Sequence, residues 1–484
     1  MYLGLDLGTS SVKAIIMNEQ GDVIASHSVS LVISRPQPQW SEQNPQAWWQ
    51  ATEDAITHLS QTYPMENIKA IGLSGQMHGA VLLDDHQNVL RPAILWNDGR
   101  SFKQCQALEK QYPQFKKLTG NLLMPGFTAP KIQWIAENEP DVFQRISHVL
   151  LPKDFLRWKM SGNFASDMSD AAGTLWLDMQ KRDWSDELLA ATGLSRRQMP
   201  TLFEGNQITG YLLPEVAKKW RMKQVPIIAG GGDNAAGAIG VGVYQPGQAM
   251  LSLGTSGVYF VVSERFLHNT DNAVHSFCHA LPNTWHLMSV MLSAASCLDW
   301  VCQLTGIDNV GAMFEEIEQH TPASTPLLFL PYLSGERTPY NNPNAKGVFW
   351  GLTHEHQRAD LCQAVLEGVS FALRQGMEVA DNAGQLANSI TLIGGGAKSA
   401  YWRQLLADMT GKTLDYRQGG EIGPALGAAR LAQLAINPAH SSKIILSQPK
   451  LESQHTPNQE KHAAYKNKYK AFQKLYLLIE TMEI

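Results

Sequence analysis

The sequence predicts an α/β protein of two duplicated lobes, residues 1–243 and 244–484, facing each other across an interdomain cleft. Three observations predict it. A Leu-x-Leu-Gly-Thr-Ser segment occurs twice, at Leu5–Ser10 and Leu251–Ser256, and six of twelve residues are identical between 5–16 and 251–262. Copies so far apart indicate a repeated domain, since the units of a solenoid recur every few tens of residues. Two short apolar runs, Val225–Ile228 and Ile390–Ile393, each lead into glycines that open a helix. Finally, 484 residues at 44% hydrophobic composition supply two cores, because single cores stop growing at roughly 250–300 residues.

Composition narrows the partners. A formal charge of −5 gives no general attraction to nucleic acid or an anionic membrane, so a small soluble substrate is expected. Five cysteines, odd in number and never spaced Cys-x-x-Cys, read as reduced thiols of a cytoplasmic protein. Asp6 stands where a signal peptide needs an apolar core, and a membrane span over the glycine-rich run ending near Val243 would bury Asp233 unpaired.

In chain order, Tyr2–Leu31 reads as a β-meander with a turn at Asn18–Asp22 and alternation on the returning strand. Asn44 and Pro45 open a helix as cap and first residue, with Trp48 and Trp49 assigned to the core. A strand over Ile68–Leu73 leads through Ser74-Gly75-Gln76-Met77-His78-Gly79 into a second strand at Ala80–Leu83. Between Gly126 and Gly210 helical patterns alternate with polar loops to which little chemistry is assigned. Gly394–Ser399 precedes a helix over Tyr401–Met409 capped by Gly411, and Glu421–Ala429 begins a helix of small residues. The C-terminal helix puts Tyr465, Tyr469, Phe472 and Tyr476 on one face, which docks on the domain.

The Gly-Thr-Ser turns present successive backbone N–H groups and hydroxyls, a cradle for phosphate oxygens that needs no helix. One such turn reads as an ordinary hairpin; two facing turns clamp one polyphosphate. Asp6 beside the first turn repels phosphate unless a cation lies between, making it a candidate Mg²⁺ partner through water, with Lys13 as the phosphate cation. The alternative is a turn-capping Asp6 and a solvated Lys13. Asp233 is the only charge in the fourteen residues from Ala229 to Gly242, delivered on bare glycine backbone to a helix start, and its structural alternative is an N-cap. Gln76 and His78 form a polar edge suited to hydroxyls. Trp96 and Asp98 offer a sugar a planar wall and a polar cluster, with an Asp98–Arg100 ion pair as the alternative. His275 and His279 lack the second cluster a zinc site needs. Two nucleotide signatures are disfavoured: Gly230-x-Gly232-x-x-Ala235 lacks the later acid of a dinucleotide fold, and Ala397 replaces the glycine before the lysine of a Walker A loop.

The paired hairpins, Gly-Gly-Asp-Asn at 231–234, Gly-Gly-Gly-Ala at 394–397, Lys131-Ile132-Gln133-Trp134, and Gly347–Leu352 running on to Glu367 resemble the FGGY carbohydrate kinase family over essentially the whole chain. The resemblance implies two ribonuclease H-like domains of the actin, hexokinase and heat-shock ATPase superfamily, the first binding sugar and catalytic, the second binding nucleotide. Gly75–Gly79 and Pro331–Pro339 resemble most closely the bacterial members that act on D-xylulose, whereas members acting on glycerol have Arg-Glu where Met77-His78 stand. It further implies ATP and Mg²⁺ as cofactors, and Asp233 as general base for the terminal hydroxyl of D-xylulose, giving D-xylulose 5-phosphate. Asp6 would lie near Mg²⁺, and Met77, His78, Asp233 and Asn234 would contact the sugar. Ser10, Lys13 and Thr255 would face phosphates, and Gly395, Gly396 and Ser399 the nucleoside. A kinase for another ketose or a polyol is the alternative within the class. A nucleotide-switched protein like the heat-shock ATPases is the alternative outside it. Oligomeric state, a homodimer included, stays open.

Two physical expectations accompany this reading. The helix dipole should lower the pKa of Asp233 and keep it ionised at neutral pH. Sugar contacts in the first lobe and nucleotide contacts in the second imply closure during turnover and slow ATP hydrolysis without sugar.

Overall fold

The computed structural model of the chain describes residues 1–419 and 423–482. Its framework is a pair of seven-stranded mixed sheets. In the first, β1 (Tyr2–Leu7), β2 (Ser11–Met17) and β3 (Val23–Ser30) form the expected antiparallel meander, and β4 (Ala70–Gly75) runs parallel to β1. An edge strand, β5 (Ile208–Tyr211), pairs antiparallel with β6 (Pro226–Ile228), itself parallel to β4, and the two-residue β7 (Gly231–Gly232) extends the pairing along β4.

The second sheet repeats the plan. The hairpin β8 (Gln248–Leu253) and β9 (Gly257–Ser263) continues antiparallel through β10 (His275–Cys278) and β11 (Trp285–Met291) on one side. On the other side β12 (Ser389–Ile393) and β13 (Leu414–Arg417) are parallel neighbours, and β14 (Leu451–His455) is an antiparallel edge. The duplication read from the sequence is therefore one of topology as well.

The two hairpins differ in register. Leu7 pairs with Val12 and Leu253 with Gly257, so the second turn is one residue tighter. Lys13 consequently stands opposite Asp6, whereas Tyr259, its match by linear count, stands opposite Leu251. A one-residue change of register exchanges the faces of a strand. Tyr259 is buried, its hydroxyl 3.4 Å from Asp381.

Six helices matter for the site. Helix α1 (Pro45–Ser60) begins as expected, Asn44 accepting from the Gln46 N–H at 3.0 Å, with Trp48 and Trp49 in the core. Then come α2 (Met168–Ala172), α3 (Asp233–Gly240) and α4 (Ala400–Thr410), the last closed by Gly411 in the left-handed conformation. Helix α5 (Gly423–Ile436) is the small-residue helix; Glu421 and Ile422, read as its start, lie outside the described residues. Helix α6 (Gln459–Glu480) docks Tyr469, Phe472 and Tyr476 on the second core as expected, with Tyr465 packed at its margin. No described helix is long and apolar enough to cross a membrane, and all five cysteines are unpaired and buried.

Helix α5 belongs to the second half of the chain yet lies on the first sheet, where Ala425 and Ala429 pack with Tyr2 and Ile15. Glycine makes this approach feasible: a Cβ on Gly4 would sit 2.1 Å from the Ala425 carbonyl oxygen, and one on Gly72 1.8 Å from that of Ala428. Gly427 then brings α5 onto α3, since its Cβ would lie 1.7 Å from the Ala236 carbonyl oxygen. A further core joins the halves, uniting Phe115 and Trp176 with Phe260, Phe277 and Met288.

Candidate active site

Asp233 reaches the cleft on glycine backbone. Gly230 takes φ +76°, and a Cβ there would lie 1.8 Å from the Leu73 carbonyl oxygen, so β6 can turn into β7 only with glycine. β7 pairs Gly231 with Ser74 and Gly232 with Gly75, and α3 starts at the next residue. Gly232 is the helix cap and Asp233 the first helical residue, so the side chain is not spent as an N-cap. Ser169 Oγ accepts from the Gly232 N–H at 3.0 Å and donates to Asp167 Oδ1 at 2.5 Å.

Behind Ser169 lies a buried charge cluster that sequence reasoning missed. Lys153 Nζ contacts Asp154 Oδ1 at 2.9 Å, Asp167 Oδ2 at 2.6 Å and Asp170 Oδ2 at 3.1 Å, and Arg157 pairs with Asp154 at 2.5 Å. This cluster holds α2, and thereby both Ser169 and Gly173. The Gly173 carbonyl receives His78 Nδ1 at 2.6 Å. The available signal was Lys153-Asp154 followed by Asp167 and Asp170 in a stretch otherwise rich in apolar residues.

Five of the expected residues, Met77, His78, Trp96, Asp233 and Asn234, line one cavity of about 220 Å³. The second half contributes to the same cavity: Ser256, Val258, His275, Phe277 and Arg337 complete its wall. This cavity, expected to be built by the first lobe alone, is walled by both halves of the chain. His275, weighed in the sequence only as a zinc ligand, sits with Nδ1 3.2 Å from Asn121 Oδ1.

Burial raises Asp233 to a pKa of about 6, opposed by hydrogen bonds to Oδ1 from the Asn234 N–H at 2.7 Å and Asn234 Nδ2 at 2.9 Å. This reverses the expectation of a depressed value: loss of solvent outweighs the field of one short helix. Burial also drives His78 down to about 3, so its imidazole is neutral. A carbonyl can only accept, so Nδ1 carries the proton and Nε2 is left as an acceptor. Lys131 Nζ, from the first family-like signature, fixes this turn by donating to the His78 carbonyl at 2.8 Å.

Gln76 and Asp98 stand behind the wall. Gln76 Nε2 donates to Gln43 Oε1 at 3.1 Å, and its Oε1 accepts from Thr9 Oγ1 at 3.1 Å. Asp98 accepts from the Ser41 N–H at 2.6 Å and pairs with Arg100 at 2.7 Å, the ion-pair alternative, and Arg100 stacks on Trp40 at 3.6 Å. Trp96 joins the cavity and the first Gly-Thr-Ser turn: its indole lines the former while Nε1 donates to Thr9 Oγ1 at 2.9 Å.

At the first turn Ser10 is exposed and its carbonyl accepts from the Leu31 N–H at 2.8 Å. Lys13 has no ion-pair partner among the described residues. Asp6 Oδ1 is shut from solvent without a hydrogen bond, and burial, then repulsion by Asp233, raises its carboxyl to about 7. An orphaned carboxylate oxygen beside a second carboxylate fits a divalent cation. Among the described residues no group of three or more His, Cys, Asp or Glu assembles to hold one by protein ligands alone.

The remaining expected residues meet in a second cavity of about 680 Å³, where Thr255, Gly395, Gly396 and Ser399 are joined by Asp299 and Phe314. A Cβ on Gly396 would fall 2.4 Å from the Trp402 ring. Thr255 faces this cavity and Ser256 the one containing Asp233, so the second Gly-Thr-Ser turn separates the two.

Comparison with known proteins bears on the same architecture. The chain is 60% identical over 476 residues to the xylulose kinase of Escherichia coli (strain K12), covering 98% of each, and 56% identical over 476 residues to that of Klebsiella pneumoniae, again covering 98% of each. The crystal structure of a xyloylose kinase from Brucella ovis superposes with a TM-score of 0.96 at 46% identity over 100% of both chains. The N-terminal domain of the FGGY family of carbohydrate kinases matches residues 1–240 and its C-terminal domain residues 249–436. With the duplicated sheets, these matches show that the chain belongs to the FGGY family of carbohydrate kinases.

Proposed function

We propose that the protein transfers the γ-phosphoryl group of ATP to the terminal hydroxyl of D-xylulose, giving D-xylulose 5-phosphate. The observation that carries this reading is the Thr255-Ser256 pair, which separates a nucleotide-sized cavity from a smaller one containing a lone acid. The full-length xylulose kinase relatives supply the sugar.

In the mechanism, Asp233 accepts the proton of the attacking hydroxyl. A carboxylate of pKa about 6 is largely ionised at neutral pH, and phosphoryl transfer through a loose transition state needs the proton removed only late. Neutral His78 offers Nε2 as a hydroxyl acceptor, Asn234 and Trp96 orient the sugar, and Met77 packs on its carbon face. Ser10, Lys13 and Thr255 hold phosphate oxygens, and Gly395, Gly396 and Ser399 border the nucleoside. Mg²⁺, held by Asp6 through water, would neutralise charge on the phosphates. The apolar wall of Val258 and Phe277 limits the water that competes with the sugar hydroxyl.

A coupled ADP-release assay over pentuloses, pentoses, glycerol and gluconate tests the proposal. D-Xylulose should give the highest kcat/KM, with slow ADP release when sugar is omitted. A higher kcat/KM for glycerol, or sugar-independent turnover, overturns it.

A further inference from the structure

The wall of the Asp233 cavity carries one cation from the second half of the chain, Arg337. Its guanidinium forms no ion pair or hydrogen bond among the described residues, and burial lowers its pKa. The adjacent acid does not neutralise it. Glu336 spends Oε1 on the N–H groups of Leu292 (3.1 Å) and of Arg337 itself (2.7 Å), while its Oε2 is buried without a partner. Burial raises that carboxyl to about 8, so Glu336 is mostly protonated at neutral pH. An arginine withdrawn from water without a counter-charge is costly, and it persists where a ligand supplies the acceptors.

The position of Arg337 in the cavity narrows what the ligand presents to it. Thr338, the next residue, donates from Oγ1 to the Ala273 carbonyl at 3.0 Å and from its N–H to the Val290 carbonyl at 3.1 Å, which seats Arg337 beside the strand pair that carries His275. Arg337 therefore enters the cavity from the wall that carries His275, whereas Asp233 enters it from the start of α3 in the first half. A sugar with its terminal hydroxyl at Asp233 turns its other end toward Arg337. Guanidinium donates hydrogen bonds and accepts none, so it favours an oxygen that only accepts.

Resting on the proposed function, we infer that Arg337 is a specificity-determining residue that reads the carbonyl end of the ketose. The same contact gives the cavity affinity for an aldonate, whose carboxylate supplies two acceptor oxygens and a charge. A polyol, with a hydroxyl where the ketose has its carbonyl, makes a weaker contact because the hydroxyl is no obligate acceptor. Since Arg337 comes from the second half, this contact also ties recognition of the sugar to the meeting of the two halves.

The test compares the native protein with Arg337→Met and Arg337→Lys, using D-xylulose, xylitol and D-xylonate. Losing a charge-assisted hydrogen bond costs about 1.5–3 kcal/mol, so Arg337→Met should lower kcat/KM for D-xylulose by about 10- to 150-fold. The loss for xylitol should be several-fold smaller, and competitive inhibition by D-xylonate should disappear in Arg337→Met and partly return in Arg337→Lys. The Arg337→Met melting temperature should be no lower than native, because a half-buried charge without a counter-charge has been removed. Equal losses for ketose and polyol, or undiminished inhibition by D-xylonate, overturn the inference. If the native protein phosphorylates no pentulose, the proposed function fails separately. Calorimetric binding of D-xylonate to native and Arg337→Met protein then decides the role of Arg337, and equal affinities would refute it.

Discussion

Replacing Asp233 by asparagine separates the acid's chemical role from its structural one. Asparagine keeps the shape and can still accept from the Asn234 N–H, so the start of α3 is preserved. Loss of the base should lower kcat by about 10²- to 10⁴-fold. Stability should move the other way. Burial raises the carboxyl from 3.8 to about 6, about two units at about 1.4 kcal/mol each. The side chain is half-buried in a cavity wall, so a gain of roughly 1–2 kcal/mol at neutral pH is the working figure after discounting for screening. A raised pKa means that the folded protein holds this proton more tightly than the unfolded chain. The stabilising contribution is complete below about pH 4 and is lost as pH rises through about 6. Asp233→Asn should therefore raise the melting temperature at pH 7.5, with the gain shrinking below pH 6 and vanishing near pH 4. Thermal melts across that range, paired with ADP-release kinetics, read both effects. A variant within tenfold of native kcat refutes the general-base assignment, and a lower melting temperature at pH 7.5 refutes the burial argument.

Asp6→Asn should raise the Mg²⁺ concentration for half-maximal rate at least tenfold without abolishing ATP binding, measured by Mg²⁺ titration and by nucleotide calorimetry. Trp96→Phe keeps an aromatic wall but removes the donor to Thr9, so KM for ATP should rise several-fold while KM for sugar changes less, the scale of one hydrogen bond of about 1 kcal/mol. Gly427→Ala puts a Cβ 1.7 Å from the Ala236 carbonyl oxygen, and overpacking of about 1–3 kcal/mol should lower the melting temperature and kcat together. In the native protein, kcat/KM should rise with pH through about 6 to 7 as Asp233 and Asp6 ionise, read from a pH–rate profile.

What was legible in the sequence is what local backbone chemistry dictates. The Gly-Thr-Ser repeats, the Asn44 cap, the glycine run before Asp233 and the C-cap at Gly411 each have a local cause, and each appears where that cause puts it. Side-chain partners across long sequence distances were less legible. Asp98 presented two equal readings because nothing in the spacing reveals that Ser41 donates to it at 2.6 Å. The Lys153 cluster was missed, and Arg337 was read only as part of the Pro331–Pro339 segment with no role of its own, because a charged residue in a sequence looks the same whether solvated or buried. The direction of the Asp233 shift depended on burial, a property of the folded cavity that a helix-start argument does not contain.

The placement of α5 gives a physical reason for the duplicated halves to act together. Its alanines rest on β1 and β4 through the space left by Gly4 and Gly72, and the last residues but one of those strands are Asp6 and Ser74, the partner of Gly231. The same helix touches α3 at Gly427, one turn from Asp233. A shift of the second half relative to the first sheet therefore pushes backbone against backbone, with no flexible side chain between to absorb it. Close-packed interiors transmit such displacement. Asp233, Asp6 and the seam between the halves are thus parts of one rigid contact, and changes in the seam should be read first at Asp233.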